Sequence, residues 1–291
     1  MIKGRQTIEI GEVCCSIGFE NGFFRNEFDA ILSDYSRQGF CSERRPEMAI
    51  TVKKTRPTPP GASSQNIFCH SLEYGSLCAT LLFDIREFKG EIGFSIKGFD
   101  RYTPVRGIEL IETFISTAYI FYFLLNERGT FIHSCGISDE GNGYIFAGAG
   151  GNGKSTIAKL SHPRTILCDE MVLLQTNRYG EKMAYGTPFS GESESINSGV
   201  PCKGIYFIEK SKVTEISPLS RMNGVAELMK EGITGSFISI ESIQKIYPYT
   251  RLLTLLCELL KGVPCYQMKF KKDNSFWEAI LGQRKQACEK K

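Results

Sequence analysis

The chain has 291 residues, which is long for one domain and sufficient for two domains with sizeable cores. Hydrophobic residues make up 42% and charged residues 23%, the balance of an ordinary soluble globular protein. The formal net charge of +3 is too small to indicate a nucleic-acid partner or an anionic membrane surface.

Cysteine usage and the opening residues indicate the cellular compartment. The eleven cysteines include no C-x-x-C pair, and the adjacent Cys14 and Cys15 could bridge each other only with strain. The first residues do not show a charged n-region followed by an apolar stretch and a cleavage site, so we expect no secretory signal. We therefore expect a cytoplasmic protein whose cysteines are reduced and serve as small buried residues.

The first 106 residues predict a β-rich region. Short apolar runs separated by glycines and charges indicate strands at 8–15, 48–52, 77–83 and 92–96. The proline-rich segment 54–66 cannot sustain a helix or an inner strand. The region contains no catalytic constellation, and its His70 is interpreted as a structural or surface residue. We interpret residues 1–106 as a separate domain that recognises the molecule on which the protein acts, its acceptor.

A long apolar helix is predicted from Gly107 to about Glu127. Glu109 and Glu112 interrupt its first turns, and the uncharged stretch 113–126 is only 14 residues long. A helix that spans a membrane needs about 20 apolar residues. The pattern therefore predicts a buried helix and no membrane partner.

Strands and helices alternate after this helix, which predicts an α/β core within a second domain at 107–291. Strands are predicted at 130–137, 144–147, 165–168, 171–175, 182–185, 204–208 and 265–270, and helices from about 154 to the His162–Pro163 step and at 250–260. Basic residues gather at the C-terminus and are interpreted as a solvated tail: Lys271, Lys272, Arg284, Lys285, Lys290 and Lys291.

A phosphate-binding loop, G-x-x-x-x-G-K-S, lies between the second of these strands and the following helix. Its glycines let consecutive amides turn towards a phosphate, Lys154 would reach the β- and γ-phosphates, and the Ser155 hydroxyl would hold Mg²⁺. The alternative is a glycine-rich turn without a ligand. The predicted nucleotide-binding residues are Gly148, Ala149, Gly150, Gly151, Asn152, Gly153, Lys154, Ser155 and Thr156.

Asp169 and Glu170 end the strand of TILCDE, where a Mg²⁺-binding acid belongs in a nucleotide-binding sheet. Only 14 positions separate Ser155 from Asp169, so the acids come from the very next strand in sequence. The alternative is a pair of carboxylates that cap a strand beside solvent. His133 lies 15 positions ahead of Gly148; it is either a core histidine or a partner of Asp169 that tunes its basicity.

His133, the loop 148–155 and the Asp169–Glu170 pair together resemble the catalytic core of the HPr kinase/phosphorylase family. The resemblance implies a P-loop core related to phosphoenolpyruvate carboxykinase, with a mixed β-sheet and flanking helices, and ATP and Mg²⁺ as ligands. It also implies that Asp169 is the general base, that His133 contacts it and that Glu170 lies near the metal. In GTPFSGE, Glu192 is the nearest counterpart of a further metal-facing carboxylate.

The chain departs from that family at two places: its second acid is glutamate, and YGTPFSGESES replaces the E-I-R-G-type signature. These residues predict a kinase that transfers the γ-phosphate of ATP to a hydroxyl of a protein, a peptide or a small molecule. The family forms hexamers, so the resemblance suggests a homo-oligomer. The diverged signature keeps open an alternative, a nucleotide-binding regulatory module without phosphotransfer.

Overall fold

The computed structural model describes residues 5–20, 24–55, 66–100, 102–189, 191, 193–233 and 240–289. It divides into two compact units, Met1–Asn126 and Glu127–Lys291, which we call the N-terminal and C-terminal units. Both are mixtures of helices and strands, so the predicted α/β class is confirmed.

The N-terminal unit contains a six-stranded mixed sheet in the order β1-β2-β3-β6-β5-β4. Only the β2–β3 and β3–β6 pairs are parallel. The elements are β1 (Gln6–Ile10), β2 (Val13–Phe19), α1 (Arg25–Arg37), β3 (Met48–Lys53), β4 (Ile67–Tyr74), β5 (Leu77–Asp84), β6 (Lys89–Ile96) and α2 (Thr103–Leu125). The predicted single run at 8–15 is a hairpin, because Gly11 and Glu12 turn the chain at positive φ.

Helix α2 is the long apolar helix predicted from the sequence. It is long and apolar enough to cross a membrane, yet 72% of its most apolar 18-residue window is buried within the structure. It packs on β5 and α1, and Tyr119 donates a hydrogen bond of 2.6 Å from its hydroxyl to the backbone oxygen of Ile8. The prediction of a buried helix is confirmed. These contacts place α2 in the N-terminal unit, which ends at Asn126.

The C-terminal unit contains an eight-stranded sheet in the order β11-β10-β7-β8-β12-β14-β13, with β9 paired to β7. Strand β11 pairs with both β10 and β12, so β7, β8, β12, β11 and β10 close into a ring. Its strands are β7 (Gly129–Asp139), β8 (Asn142–Ala147), β9 (Thr165–Cys168), β10 (Met171–Thr176), β11 (Lys182–Tyr185), β12 (Gly199–Lys210), β13 (Glu215–Leu219) and β14 (Cys265–Phe270). Its helices are α3 (Lys154–Leu160), α4 (Arg221–Glu227), α5 (Ile240–Gln244), α6 (Tyr249–Leu259) and α7 (Ser275–Glu289).

The described chain ends in helix α7, whose first turns pack on the C-terminal unit. Of the basic residues predicted to form a solvated tail, Lys271 and Lys272 are exposed ahead of this helix. The side chains of the others, Arg284, Lys285, Lys290 and Lys291, lie outside the described residues. Phe276, Trp277 and Ile280 recur at helical spacing and are buried against β8 and α3 in one hydrophobic cluster. The indole Nε1 of Trp277 donates to the hydroxyl of Ser161 over 3.0 Å, and the Arg164 guanidinium lies 4.1 Å from the ring centre. The C-terminal helix therefore holds the far end of α3, the helix that follows the glycine-rich loop.

Candidate nucleotide site

The glycine-rich loop joins a buried strand to a helix, the order predicted from the sequence. Strand β8 ends at Ala147, which is fully buried, and α3 begins at Lys154. Gly151 and Gly153 have φ values of 84° and 108°, a region of backbone space that glycine enters without strain. The loop conformation thus depends on these two glycines.

The base of the loop packs tightly on β12, whereas its crest is open. The side-chain amide of Asn152 donates to the backbone oxygen of Ile208 over 3.2 Å. A Cβ added at Gly148 would lie 3.1 Å from that same oxygen, and one added at Gly153 would lie 2.7 Å from the Phe270 ring. A Cβ added at Gly150 would meet no atom within 4 Å. The loop is therefore open at Gly150.

Lys154 and Ser155 take different positions at the start of α3. Lys154 is buried, with 7% of its surface exposed, and its ammonium donates to the backbone oxygen of Gly148 over 2.9 Å. The ammonium thus lies across the loop, close to the space that the crest leaves open. Ser155 is exposed, so its hydroxyl is accessible to a ligand.

Strand β7 brings the carboxylates next to the loop. Its Ser134 pairs with Ala147 of β8, the last residue before the loop. On the other side of β7, the Ser134 amide donates to the backbone oxygen of Glu170 over 3.1 Å. Because neighbouring strands lie about 4.8 Å apart, the loop and the acid pair are separated by roughly 10 Å of backbone.

The acid pair directly follows the end of β9 and precedes β10, so its predicted place at the end of a strand is confirmed. Cys168 of β9 pairs with Gly136, and Met171 of β10 pairs with His133, both in one antiparallel register along β7. The chain bends at Asp169 and Glu170 between the two strands. The two carboxylates have different surroundings, because Asp169 is 3% exposed whereas the side chain of Glu170 is 33% exposed.

Glu170 pairs with His133: the imidazole Nε2 lies 2.9 Å from a carboxylate oxygen of Glu170. This hydrogen bond lowers the pKa of Glu170, aided by the charges of His133 and Lys154 and opposed by partial burial. The side chains of His133 and Glu170 are 17% and 33% exposed, so solvent reaches the pair. The predicted partnership of His133 with Asp169 is corrected to one with the next residue.

Asp169 instead holds the segment that follows β11. It is 3% exposed, and its two carboxylate oxygens accept hydrogen bonds from the backbone amides of Gly191 (2.7 Å) and Ser193 (2.9 Å). The same segment is fixed further along, where the Ile196 amide donates to the backbone oxygen of Leu167. The candidate metal ligand Glu192 lies outside the described residues.

Comparison with known families finds a match that covers this set of residues. A family model described as "SynChlorMet cassette protein ScmC" matches residues 103–282, which is more than half of the chain. The chain belongs to the ScmC family. The match begins at the first residue of α2 and ends within α7, so it contains the loop, the acid pair and His133. No curated protein matches the chain.

This ScmC-family site offers few protein ligands for a metal. Among the described residues, no three His, Cys, Asp or Glu side chains converge on one point. Mg²⁺ commonly takes one or two protein oxygens and completes its shell with water and substrate phosphates. The exposed Ser155 hydroxyl and the partly exposed Glu170 carboxylate are oxygen donors of this kind. The residues present fit Mg²⁺ bound together with a phosphate ligand.

Sequence reasoning did not foresee two contacts of the site in this ScmC-family protein. One is the pair of hydrogen bonds from the Gly191 and Ser193 amides to Asp169, which carry no sequence signal because the amide of any residue could donate. The other involves Lys210, the last residue of β12, whose Cε would lie 3.2 Å from a Cβ at Gly153. A cation at the carboxyl end of a strand parallel to β8 is a signal that could have indicated it.

Proposed function

We propose that this protein is an ATP-dependent kinase that transfers the γ-phosphate to a hydroxyl of a protein, a peptide or a small molecule. One observation carries the proposal, the position of Ser134 in β7. On one side Ser134 pairs with Ala147, the last residue before the glycine-rich loop, and on the other side its amide donates to the backbone oxygen of Glu170. A phosphate-binding loop and a carboxylate that can act on a hydroxyl therefore face one another across a single strand.

The loop supplies the binding energy for the triphosphate. Its backbone amides and the Lys154 ammonium, which now donates to Gly148, would turn to the phosphate oxygens, since charge-assisted hydrogen bonds are stronger than neutral ones. Mg²⁺, held by the Ser155 hydroxyl, would neutralise part of the charge that develops on the transferred group. Transfer of this kind depends mainly on positioning and electrostatic stabilisation.

The contacts favour the Glu170–His133 pair as the proton acceptor. The resemblance to HPr kinases assigns this role to Asp169, but both Asp169 oxygens already accept amide hydrogen bonds and the side chain is buried. The Glu170–His133 pair is partly exposed. During transfer, the acceptor oxygen bonds to the γ-phosphorus, the bond to the β,γ-bridging oxygen breaks, and the hydroxyl proton passes to this pair. Asp169 then positions the backbone amides of Gly191 and Ser193 beside the reaction.

A P-loop core like that of HPr kinases is the finer fold assignment that we propose for the C-terminal unit. It rests on the compact spacing of His133, the loop and the acid pair, and on a β8 strand that lies between β7 and β12. The second candidate function is a nucleotide-binding regulatory module. The contacts of Asp169 favour it, because the carboxylate to which the resemblance to HPr kinases assigns the general base instead accepts two backbone amides.

The decisive experiment begins with nucleotide binding. Lys154→Ala removes the loop cation, so we expect Mg-ATP to stabilise the parent against heat but to leave this variant unchanged. Lys159→Ala, on the exposed face of the same helix, is the matched control and should behave like the parent. Equal stabilisation of all three proteins would contradict the loop assignment.

Transfer is then tested with labelled ATP and panels of serine-containing peptides, protein acceptors and small alcohols, read out by intact mass. A phosphorylated acceptor supports the kinase. Binding of Mg-ATP without transfer to any acceptor class would favour the regulatory module, and absence of binding would exclude both.

A further inference from the structure

We propose that Lys210 is a second nucleotide-positioning residue, whose ammonium binds the terminal phosphates held by the glycine-rich loop. The inference rests on the proposed nucleotide-binding function and adds to it a cation from outside the loop motif.

Strand β12 runs beside the loop as it ends. It is parallel to β8, so both strands finish at the same edge of the sheet, where the loop begins. The contacts of Ile208 with the loop are the hydrogen bond from Asn152 and the close packing at Gly148. Because side chains alternate along a strand, Lys210 projects to the same face as Ile208, which is the face of the loop.

The stem of Lys210 lies against the backbone of Gly153. A Cβ at Gly153 would lie 3.2 Å from Cε of Lys210 and 2.7 Å from the ring of Phe270. Lys210 and Phe270 are also partners in the β12–β14 register, so the strand pair fixes the position of the stem. The ammonium follows directly after Cε, and it therefore lies within a few ångströms of the residue that precedes Lys154.

The charge of Lys210 is available for a ligand. The side chain is exposed, and within the described ranges no residue forms an ion pair or a hydrogen bond with its ammonium. The neighbouring Glu209 belongs to the opposite face of the strand. Other lysines near strand ends do pair with carboxylates, as Lys271 does with Asp273. An exposed ammonium beside an open phosphate loop matches a polyanionic ligand, because charge-assisted contacts to phosphate strengthen binding.

The test compares Lys210→Met, which keeps the stem and removes the charge, with Lys210→Arg, which keeps the charge. Lys203→Met is the matched control, since Lys203 is exposed on the same strand roughly 23 Å away. Mg-ATP, Mg-ADP and AMP are titrated by calorimetry into each full-length protein at several salt concentrations.

We expect Lys210→Met to weaken Mg-ATP binding by about 10- to 100-fold, the effect of losing one charge-assisted hydrogen bond. The salt dependence of its Mg-ATP affinity should also become shallower, a change that mere loss of packing would not produce. Lys210→Arg should restore most of the affinity, whereas AMP should bind the parent and Lys210→Met equally.

The outcomes separate the two proposals. If the parent binds Mg-ATP, but Lys210→Met binds it with the affinity and the salt dependence of the parent, the role of Lys210 is wrong and the proposed function stands. An equal loss of affinity in Lys210→Met, Lys210→Arg and Lys203→Met would also overturn the role. If the parent binds no nucleotide, the proposed function itself fails.

Discussion

At the scale of residues, Asp169 and Glu170 are neighbours in sequence with different environments. Asp169 is buried and accepts two backbone amides, whereas Glu170 is partly exposed and pairs with His133. Burial and hydrogen bonding decide what a carboxylate can do, so the two acids should contribute to different properties of the protein.

Glu170→Gln should bind Mg-ATP nearly as the parent does and lose phosphoryl transfer by about 10²–10⁴-fold, the usual effect of removing a general base. Asp169→Asn should act on stability instead, since an amide nitrogen cannot accept a backbone N–H. We expect about 1–3 kcal/mol of destabilisation and faster hydrogen exchange at 191–193. Steady-state transfer assays, urea unfolding and exchange mass spectrometry measure these effects. Loss of transfer in Asp169→Asn alone would return the base to Asp169.

The pH dependence of stability offers a second test of Glu170. Its pKa is lowered in the folded protein, so the pair with His133 contributes stability above the unfolded value, near 4.5. That contribution should disappear as the pH falls through the lower folded value. Urea unfolding between pH 3 and pH 7 should therefore give free energies of unfolding for the parent and for Glu170→Gln that diverge as the pH rises. Curves that stay parallel would show that the pair adds nothing to stability.

At the scale of elements, helix α2 contains a partly buried acid, Glu112, that opposes folding at neutral pH. Tyr35 of α1 hydrogen-bonds Glu112, but burial dominates and raises the pKa of this carboxyl. The folded state therefore favours the protonated acid. The free energy of unfolding is therefore highest below the pKa of this carboxyl in the unfolded chain, near 4.5, and decreases as the pH rises towards its pKa in the folded protein.

Glu112→Gln should consequently stabilise the N-terminal unit at pH 7 and have little effect at pH 4, because glutamine stays neutral and can still accept the Tyr35 hydrogen bond. The exposed Glu109 of the same helix provides the control, and Glu109→Gln should change stability little at either pH. Thermal unfolding at the two pH values measures the difference. A Glu112→Gln variant that is less stable than the parent at pH 7 would show that the ionised carboxylate is favourable there.

Local sequence signals predicted many elements. The strands 165–168, 182–185 and 265–270 have the predicted bounds, because short apolar runs end there at turn residues or charges. Helix α1 was missed, although its buried Phe28, Leu32 and Tyr35 recur at helical spacing. The short length of that pattern and the polar residues between its members concealed it.

The site was predictable where it depends on local chain chemistry and not where it depends on tertiary contacts. The glycines, Lys154 and Ser155 form a continuous motif, and its place between a strand and a helix is as expected. The partner of His133 depends on which of two consecutive carboxylates faces β7, a choice made by the path of the chain after β9. The amides that hold Asp169 come from a segment more than twenty residues away.

At the scale of the whole molecule, every contact of the loop and the acid pair described above lies within the C-terminal unit. A fragment that begins at Glu127 should therefore bind Mg-ATP with an affinity within a few-fold of the full-length protein. Calorimetry on the purified fragment, after circular dichroism has shown that it is folded, measures this. A folded fragment without affinity would mean that residues before 127 contribute to the nucleotide site.

The packing of α7 on α3 has a spectroscopic consequence. Trp277 is the single tryptophan of the chain, and its indole is hydrogen-bonded to Ser161 beneath a guanidinium. Ultraviolet emission at tryptophan wavelengths therefore comes from one place, the far end of the helix that starts at Lys154. The protein carries its own optical reporter there, and a shift of α3 on nucleotide binding can be followed in real time without a dye or a label.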